Sequence, residues 1–232
     1  QQWRDAVTSH RPVNAVFRVR WAAGGWRWTN VRAVLITAPD GTGLKWVGLN
    51  VDIHARTVAE AALKDSEAVQ AFLVRLGDTL RTLSDPVEIP RQAARLLGEH
   101  LQANRVSYAE IEGDDAVIRA SYANGVEPLP ARFPYAVFGT WFLDPATRGE
   151  PMVSADIACD PRLSPEVRAV CNRTRIAAMA GILLERGGRL AAAFGVHHAT
   201  PRQWRTGEIA LVRETAERTW AAVERARAES AL

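Results

Sequence analysis

Apolar and polar positions alternate at the start of the chain. Ala15, Phe17, Val19 and Trp21 are interleaved with Val16, Arg18 and Arg20, the period of two expected of a half-buried strand. Ala23-Gly24-Gly25 supplies a turn, and a second strand is predicted from Trp26 to Ile36. Pro39-Asp40-Gly41-Thr42-Gly43 is a second turn, in which glycine provides the positive φ that tight hairpins need. The third strand runs from Leu44 to Ile53. Three strands joined by two tight turns form an antiparallel meander, which is too small to bury both of its faces by itself.

From Ala55 the period changes. Val69, Leu73, Leu76, Leu80 and Leu83 recur at spacings of four and three, and with Val58 and Ala62 upstream they predict a helix over 56–83. Two readings of that seam stay open: a helix packed on its own domain, or a parallel dimeric linker between domains. Asp85, Pro86 and Glu88 form a capping-box pattern for the next helix, which continues through Ala93, Leu96, Leu97 and Leu101. Pro90 is awkward in that pattern because it lacks an N–H, so the helix is also read as beginning near Ile89. Strands follow at Arg105–Ile111 and Ala116–Tyr122, then a short helix around Val137–Arg148 and a short strand at Pro151–Val153. Ser164-Pro165-Glu166 caps a helix to about Arg173, and 176–185 pairs with 189–197 across Gly187-Gly188. Thr206 is read as the cap of a last amphipathic helix carrying Ile209, Val212, Ala216, Trp220 and Val223.

These patterns carry two family resemblances. Phe17-Arg-Val-Arg20, Gly25-Trp26-Arg27-Trp28 and Trp46–Ile53, closing on Asp52-Ile53-His54, resemble the C-terminal half of a PAS sensor domain over about residues 10–55. Any PAS ligand pocket is therefore expected to be half built. Arg105-Val-Ser-Tyr-Ala-Glu110, Gly149–Val153, Ala155–Ser164 with its Asp-Ile-(x)3-Pro-Arg stretch, and Trp204–Leu211 resemble a GAF domain from about 67 to 230. The resemblance implies an α+β fold, an antiparallel β-sheet flanked by helices with a ligand cavity on one face, preceded by the three-stranded PAS-type meander and a linker helix. The domain reading is 1–55 for the PAS part, 56–83 for the linker helix and 84–230 for the GAF domain, whose first helix overlaps the linker from about 67.

Composition narrows the function without naming a ligand. Of 232 residues, 47% are hydrophobic and 24% charged, which excludes a disordered or fibrous chain. The formal charge is +3, but only Lys45 and Lys64 are lysines, and the arginines are spread among acids with no dense phosphate-binding block. No nucleic acid partner is expected. Two cysteines, Cys159 and Cys171, are too few for a disulfide scaffold, and no apolar run reaches the ~18 residues of a membrane span. A cytoplasmic location follows as the expectation. The chain begins Gln-Gln-Trp, and it is read as part of something longer.

No phosphate loop, Gly-x-Ser-x-Gly elbow or His-Glu-x-x-His motif is present, and His100 reads as a helix-end histidine, so no catalysis is expected of this segment. Phytochrome-type GAF domains attach bilin through a Cys followed by His, whereas Cys159 precedes Asp160 and Cys171 precedes Asn172. Bilin is thereby disfavoured. Cyclic nucleotide is disfavoured too, because the Asn-Lys-Phe-Asp-Glu set of its binders is missing and no lysine follows Lys64. Tyr108, Tyr122, Phe133, Trp141, Met179 and His197 are the candidate pocket residues, with core filling as their alternative role. Cys159, Cys171 and His197 form an alternative metal set; His198 points to the opposite face of its strand. The expectation is a sensory and dimerisation segment of a bacterial sensor histidine kinase, a homodimer through its amphipathic helices. The alternatives are a redox- or metal-responsive sensor using Cys159 and Cys171, and a ligand-free structural spacer.

Overall fold

The computed structural model describes residues 8–9, 11–139 and 149–231, the Leu44 side chain excepted. The chain divides into two compact units, 1–68 and 69–232.

In the first unit, β1 (Val13–Arg20), β2 (Trp26–Thr37) and β3 (Gly43–Asp52) pair antiparallel in that order. Val13 lies opposite Ala33 and Ala15 opposite Val31, so the alternation gathers these four on one buried face, with Trp46 packed against it. The burial fades along the same face, where Phe17 and Val19 are about 40% exposed. Val34, Val47, Leu49 and Val51 stand exposed on the other face. A β-sheet of this size thus covers one side only, as the pattern predicted.

Asp52 accepts a hydrogen bond from the His54 amide at 2.9 Å, and α1 (His54–Arg81) starts there. Its half within the first unit has no buried residue, Val58 and Leu63 being 50% and 61% exposed. In the second unit Phe72, Leu76 and Leu80 are buried, while Val69, Leu73 and Leu83 are half-buried against the same core. This stretch of the seam therefore packs within its own domain, where the Leu73 and Leu80 carbonyls accept hydrogen bonds from Arg218 and Arg225.

The second unit is a six-stranded antiparallel sheet in the order β6-β5-β4-β9-β8-β7. Its strands are β4 (Arg105–Glu112), β5 (Asp115–Ala123), β6 (Arg132–Pro134), β7 (Met152–Ser154), β8 (Ala178–Arg186) and β9 (Arg189–His198). Helices α2 (Glu88–Leu101) and α4 (Thr206–Ser230) cover one face together with the end of α1. Leu76, Ile89, Leu97, Val106, Tyr108, Phe194, Val196, Val212 and Val223 are all fully buried between them. Helix α3 (Pro165–Arg173) lies on the opposite side, with Val167 and Cys171 packed on Ile157, Leu163, Ile176 and Met179.

Two helix starts differ from the sequence reading. Asp85 does not form a capping box: its carboxylate accepts from the Val87 amide at 2.9 Å in a local turn, and α2 begins at Glu88. Pro90 is then the third helical residue, where the missing N–H would have had no partner in the helix, so it costs little. Thr206 is the first residue of α4 rather than its cap; the Glu208 carboxylate accepts from the Arg205 amide at 3.0 Å. Of the helix expected over 137–148, the structure shows a 3₁₀ turn at Tyr135–Phe138, and 140–148 lie outside the described residues.

Candidate functional site

The two faces of the larger sheet differ in what they hold. On the face opposite α2 and α4, Ser107, Ala109, Ala116, Ile118, Leu129, Phe133, Phe138, Met152, Met179, Gly181, Ala193 and His197 line a cavity of about 50 Å³. Strand periodicity builds it. Ser107 and Ala109 alternate with Val106 and Tyr108 on β4, Met179 pairs with His197 across β8 and β9, and Ser107 pairs with Gly195 across β4 and β9. Gly195 matters because a Cβ there would come within 3.0 Å of the His197 ring, so glycine leaves the space the imidazole occupies.

The wall is apolar but carries unpartnered polar atoms. His197 is 6% exposed and Ser107 5%, and among the described residues neither the His197 Nδ1 nor the Ser107 Oγ has a hydrogen-bond partner. Ser121, which pairs with Ser107, also has a buried Oγ without one. Buried polar groups are ordinarily hydrogen-bonded, and leaving one unmade costs about 1–3 kcal/mol. Burial, with Arg105 and His198 nearby, pushes the His197 pKa down from 6.5 to about 3. The ring is thus neutral at physiological pH and offers one nitrogen to accept or donate.

Three of the six candidate pocket residues meet here: Phe133, Met179 and His197. Tyr108 and Tyr122 do not. A bulge at Arg119 shifts the β4–β5 register, so Tyr122 pairs with Val106 and turns to the helix face, where Tyr108 also packs against Phe194. Tyr122 lies over Gly98 of α2, which has no room for a Cβ. The Tyr108 hydroxyl donates to Glu110 at 3.3 Å, and Glu110 also accepts from Arg227 on α4 at 2.5 Å. Both tyrosines therefore join the sheet to its covering helices. Trp141 lies outside the described residues. Sequence reasoning missed Ser107, Leu129, Phe138 and Met152. Ser107 had a signal, its place on the same strand face as Ala109, whereas Leu129 and Phe138, in irregular segments, had none.

The alternative metal set is not brought together. Cys171 is buried in the α3 cluster with its thiol pushed up to about 11, and Cys159 is exposed on the loop before it; both are free thiols. Among the described residues, no group of three or more His, Cys, Asp or Glu is placed to share a metal ion. His198 faces away from His197, edge-on to Trp204 at 5.7 Å and beside Arg202. The Asp-Ile-(x)3-Pro-Arg stretch is a brace: Asp160 pairs with Arg162 at 2.6 Å, and Arg162 also donates to the Val153 carbonyl at 2.6 Å. Hydrogen bonding from Arg162 holds the Asp160 carboxyl well below the usual carboxylate range. No described helix is long and apolar enough to cross a membrane.

The second unit is thus a six-stranded antiparallel sheet covered by α2 and α4 on one face with a cavity on the other, and a family model for the GAF domain matches residues 85–223. The chain belongs to the GAF domain family, whose members serve signalling and sensing. It is similar to the GAF domain of a phosphoenolpyruvate-protein phosphotransferase from Coxiella burnetii, at 18% identity and TM-score 0.58, over 72% of this chain and 98% of that one. It is also similar to the chromophore-binding domain of a bacteriophytochrome from R. palustris, at 16% identity and TM-score 0.55, over 97% of this chain and 80% of that one. Among curated proteins, an uncharacterized protein (y4lL) of Sinorhizobium fredii is 37% identical over 68 residues, which is 29% of this chain and only 8% of that protein's length.

Proposed function

We propose that this chain is the ligand-sensing segment of a signal-transduction protein, with the cavity beside His197 as its receptor site. One observation carries the reading: a largely apolar cavity presents a buried neutral imidazole and a buried hydroxyl, neither of them hydrogen-bonded to any described residue. A ligand with one donor or acceptor group on a small apolar body would satisfy them. The cavity volume of about 50 Å³ is well below the ~300–1,000 Å³ of pockets for drug-sized molecules, so a ligand of few heavy atoms is favoured over a bilin or a nucleotide. Native mass spectrometry of freshly purified protein tests this directly. An adduct of low mass that disappears in His197→Gln supports it, and its persistence in that variant counts against the site.

The meander at 13–52 is assigned to the C-terminal part of a PAS domain, a reading supported by its closing Asp52-Ile53-His54 and by a fold likeness that extends over nearly the whole chain. The segment itself is proposed to be non-catalytic, cytoplasmic and dimeric, with a sensor histidine kinase as the parent protein. The uncovered half of α1 supports the dimer, since Val58 and Leu63 leave apolar area for a second helix. Sedimentation of a strict monomer at high concentration refutes the dimer. Failure of the full-length protein to label itself with γ-phosphate from ATP refutes the kinase assignment.

A further inference from the structure

Strand β4 opens on a buried cation that no carboxylate among the described residues neutralises. Arg105 is 2% exposed. Its Nε and Nη2 donate to the Glu127 carbonyl at 2.9 and 2.5 Å, and Nη2 also donates to the Thr174 carbonyl at 3.0 Å. Its Nη1 is buried with no hydrogen-bond partner among the described residues. Arginine is almost never fully buried unless it is paired with an opposite charge. Here the surroundings are of the same sign.

Arg105, Arg173 and Arg175 line one cleft of about 460 Å³ between the loop after β5 and the end of α3. None of the three forms an ion pair with any carboxylate among the described residues, Glu127 on the rim included. Arg175 is held over the cleft by an unusual backbone, φ 55°, and by a hydrogen bond from its Nη1 to the Gly125 carbonyl at 3.3 Å. Burial, and after it the Arg175 charge, lower the Arg105 pKa. The negative end of α3 supplies only about half a charge against three guanidinium groups.

We propose that this cleft binds an oxyanion, a phosphate or carboxylate group, with Arg105 Nη1 as the fixed buried donor and Arg173 and Arg175 closing on it from the rim. Guanidinium groups suit this role because their planar N–H pairs match the oxygens of both groups. The cleft shares no lining residue with the cavity beside His197, so the site goes beyond the sensing role assigned to that cavity.

The test titrates the protein with sodium phosphate and, separately, with sodium acetate at ionic strength held constant by chloride, following arginine Nε–H resonances and heat of binding. Saturation by either anion with a displaced Arg105 signal is expected. Phosphate alone identifies a phosphate-type ligand, acetate alone a carboxylate-type ligand, and both a general oxyanion site. Arg173→Ser with Arg175→Asn should weaken binding at least tenfold. Both positions are exposed, and asparagine tolerates the left-handed backbone at 175, so the pair is expected to fold. No saturation by either anion in the unaltered protein overturns the proposal, as does equal affinity in the double variant. The cavity variant His197→Gln should bind the anion as the unaltered protein does, which separates failure of this site from failure of the receptor cavity.

Discussion

Replacing His197 by glutamine removes one buried proton acceptor, and the consequence for stability depends on pH in a calculable way. The folded-state pKa lies near 3, whereas the unfolded chain titrates near 6.5. The folded value is depressed, so above pH 6.5 both states are neutral and His197 exerts no pH-dependent effect. As pH falls below 6.5 the unfolded chain takes up a proton that the folded ring refuses, and stability declines until pH 3. Each pH unit in that window costs about 1.4 kcal/mol, so the loss at pH 5 is about 2 kcal/mol relative to pH 7. His197→Gln should abolish that share. Urea denaturation of both proteins at pH 7, 6 and 5 measures it: the advantage of the native histidine over glutamine is expected to shrink by about 2 kcal/mol between pH 7 and pH 5. His198 and His100, also lowered by burial, remain in both proteins and cancel in the difference. Parallel pH curves for the two proteins would refute a buried neutral imidazole.

Three further outcomes follow from the packing. Leu97→Ala, at a fully buried position between α2 and the sheet, should destabilise by about 2–5 kcal/mol, read from the shift of the urea midpoint at unchanged slope. Gly98→Ala forces a Cβ into the Tyr122 ring and should cost about 1–3 kcal/mol, with Tyr122→Ala costing less in that background than alone. A thiol reagent at pH 8 should titrate one cysteine in the folded protein, the exposed Cys159, and the second only after unfolding, because Cys171 is fully buried and its pKa is raised. Rapid reaction of both thiols would contradict the closed α3 cluster.

The fold was legible because each face of it is written as a period. Val13, Ala15, Val31 and Ala33 announce a one-sided sheet, and Leu76, Leu80, Leu97, Val212 and Val223 announce helices that cover one. Local turn chemistry was legible at Gly24-Gly25 and at Ser164, whose hydroxyl accepts from the Val167 amide at 3.3 Å. The site was less so. His197 and Met179 were reachable from strand alternation, but the bulge at Arg119 reverses the face of Tyr122, and nothing in the spacing marks a bulge. Phe138 and Leu129 reach the cavity from irregular segments, where no period relates sequence position to direction. The arginine cleft was hidden for a different reason: Arg105 is about 70 positions from Arg173 and Arg175, and an arginine-rich composition offers no contrast against which it stands out.

The central claim is that the chamber beside His197 receives a small ligand. A thermal-shift screen of small polar-headed compounds tests it most directly, run in parallel on the unaltered protein, on His197→Gln and on the cavity-filling Ala193→Leu. At a ligand concentration a hundredfold above the dissociation constant, a binder should stabilise by about 2.7 kcal/mol. The account predicts a compound that raises the melting temperature of the unaltered protein and of neither variant. A screen in which no compound acts, or one in which the shift survives both substitutions, would contradict it.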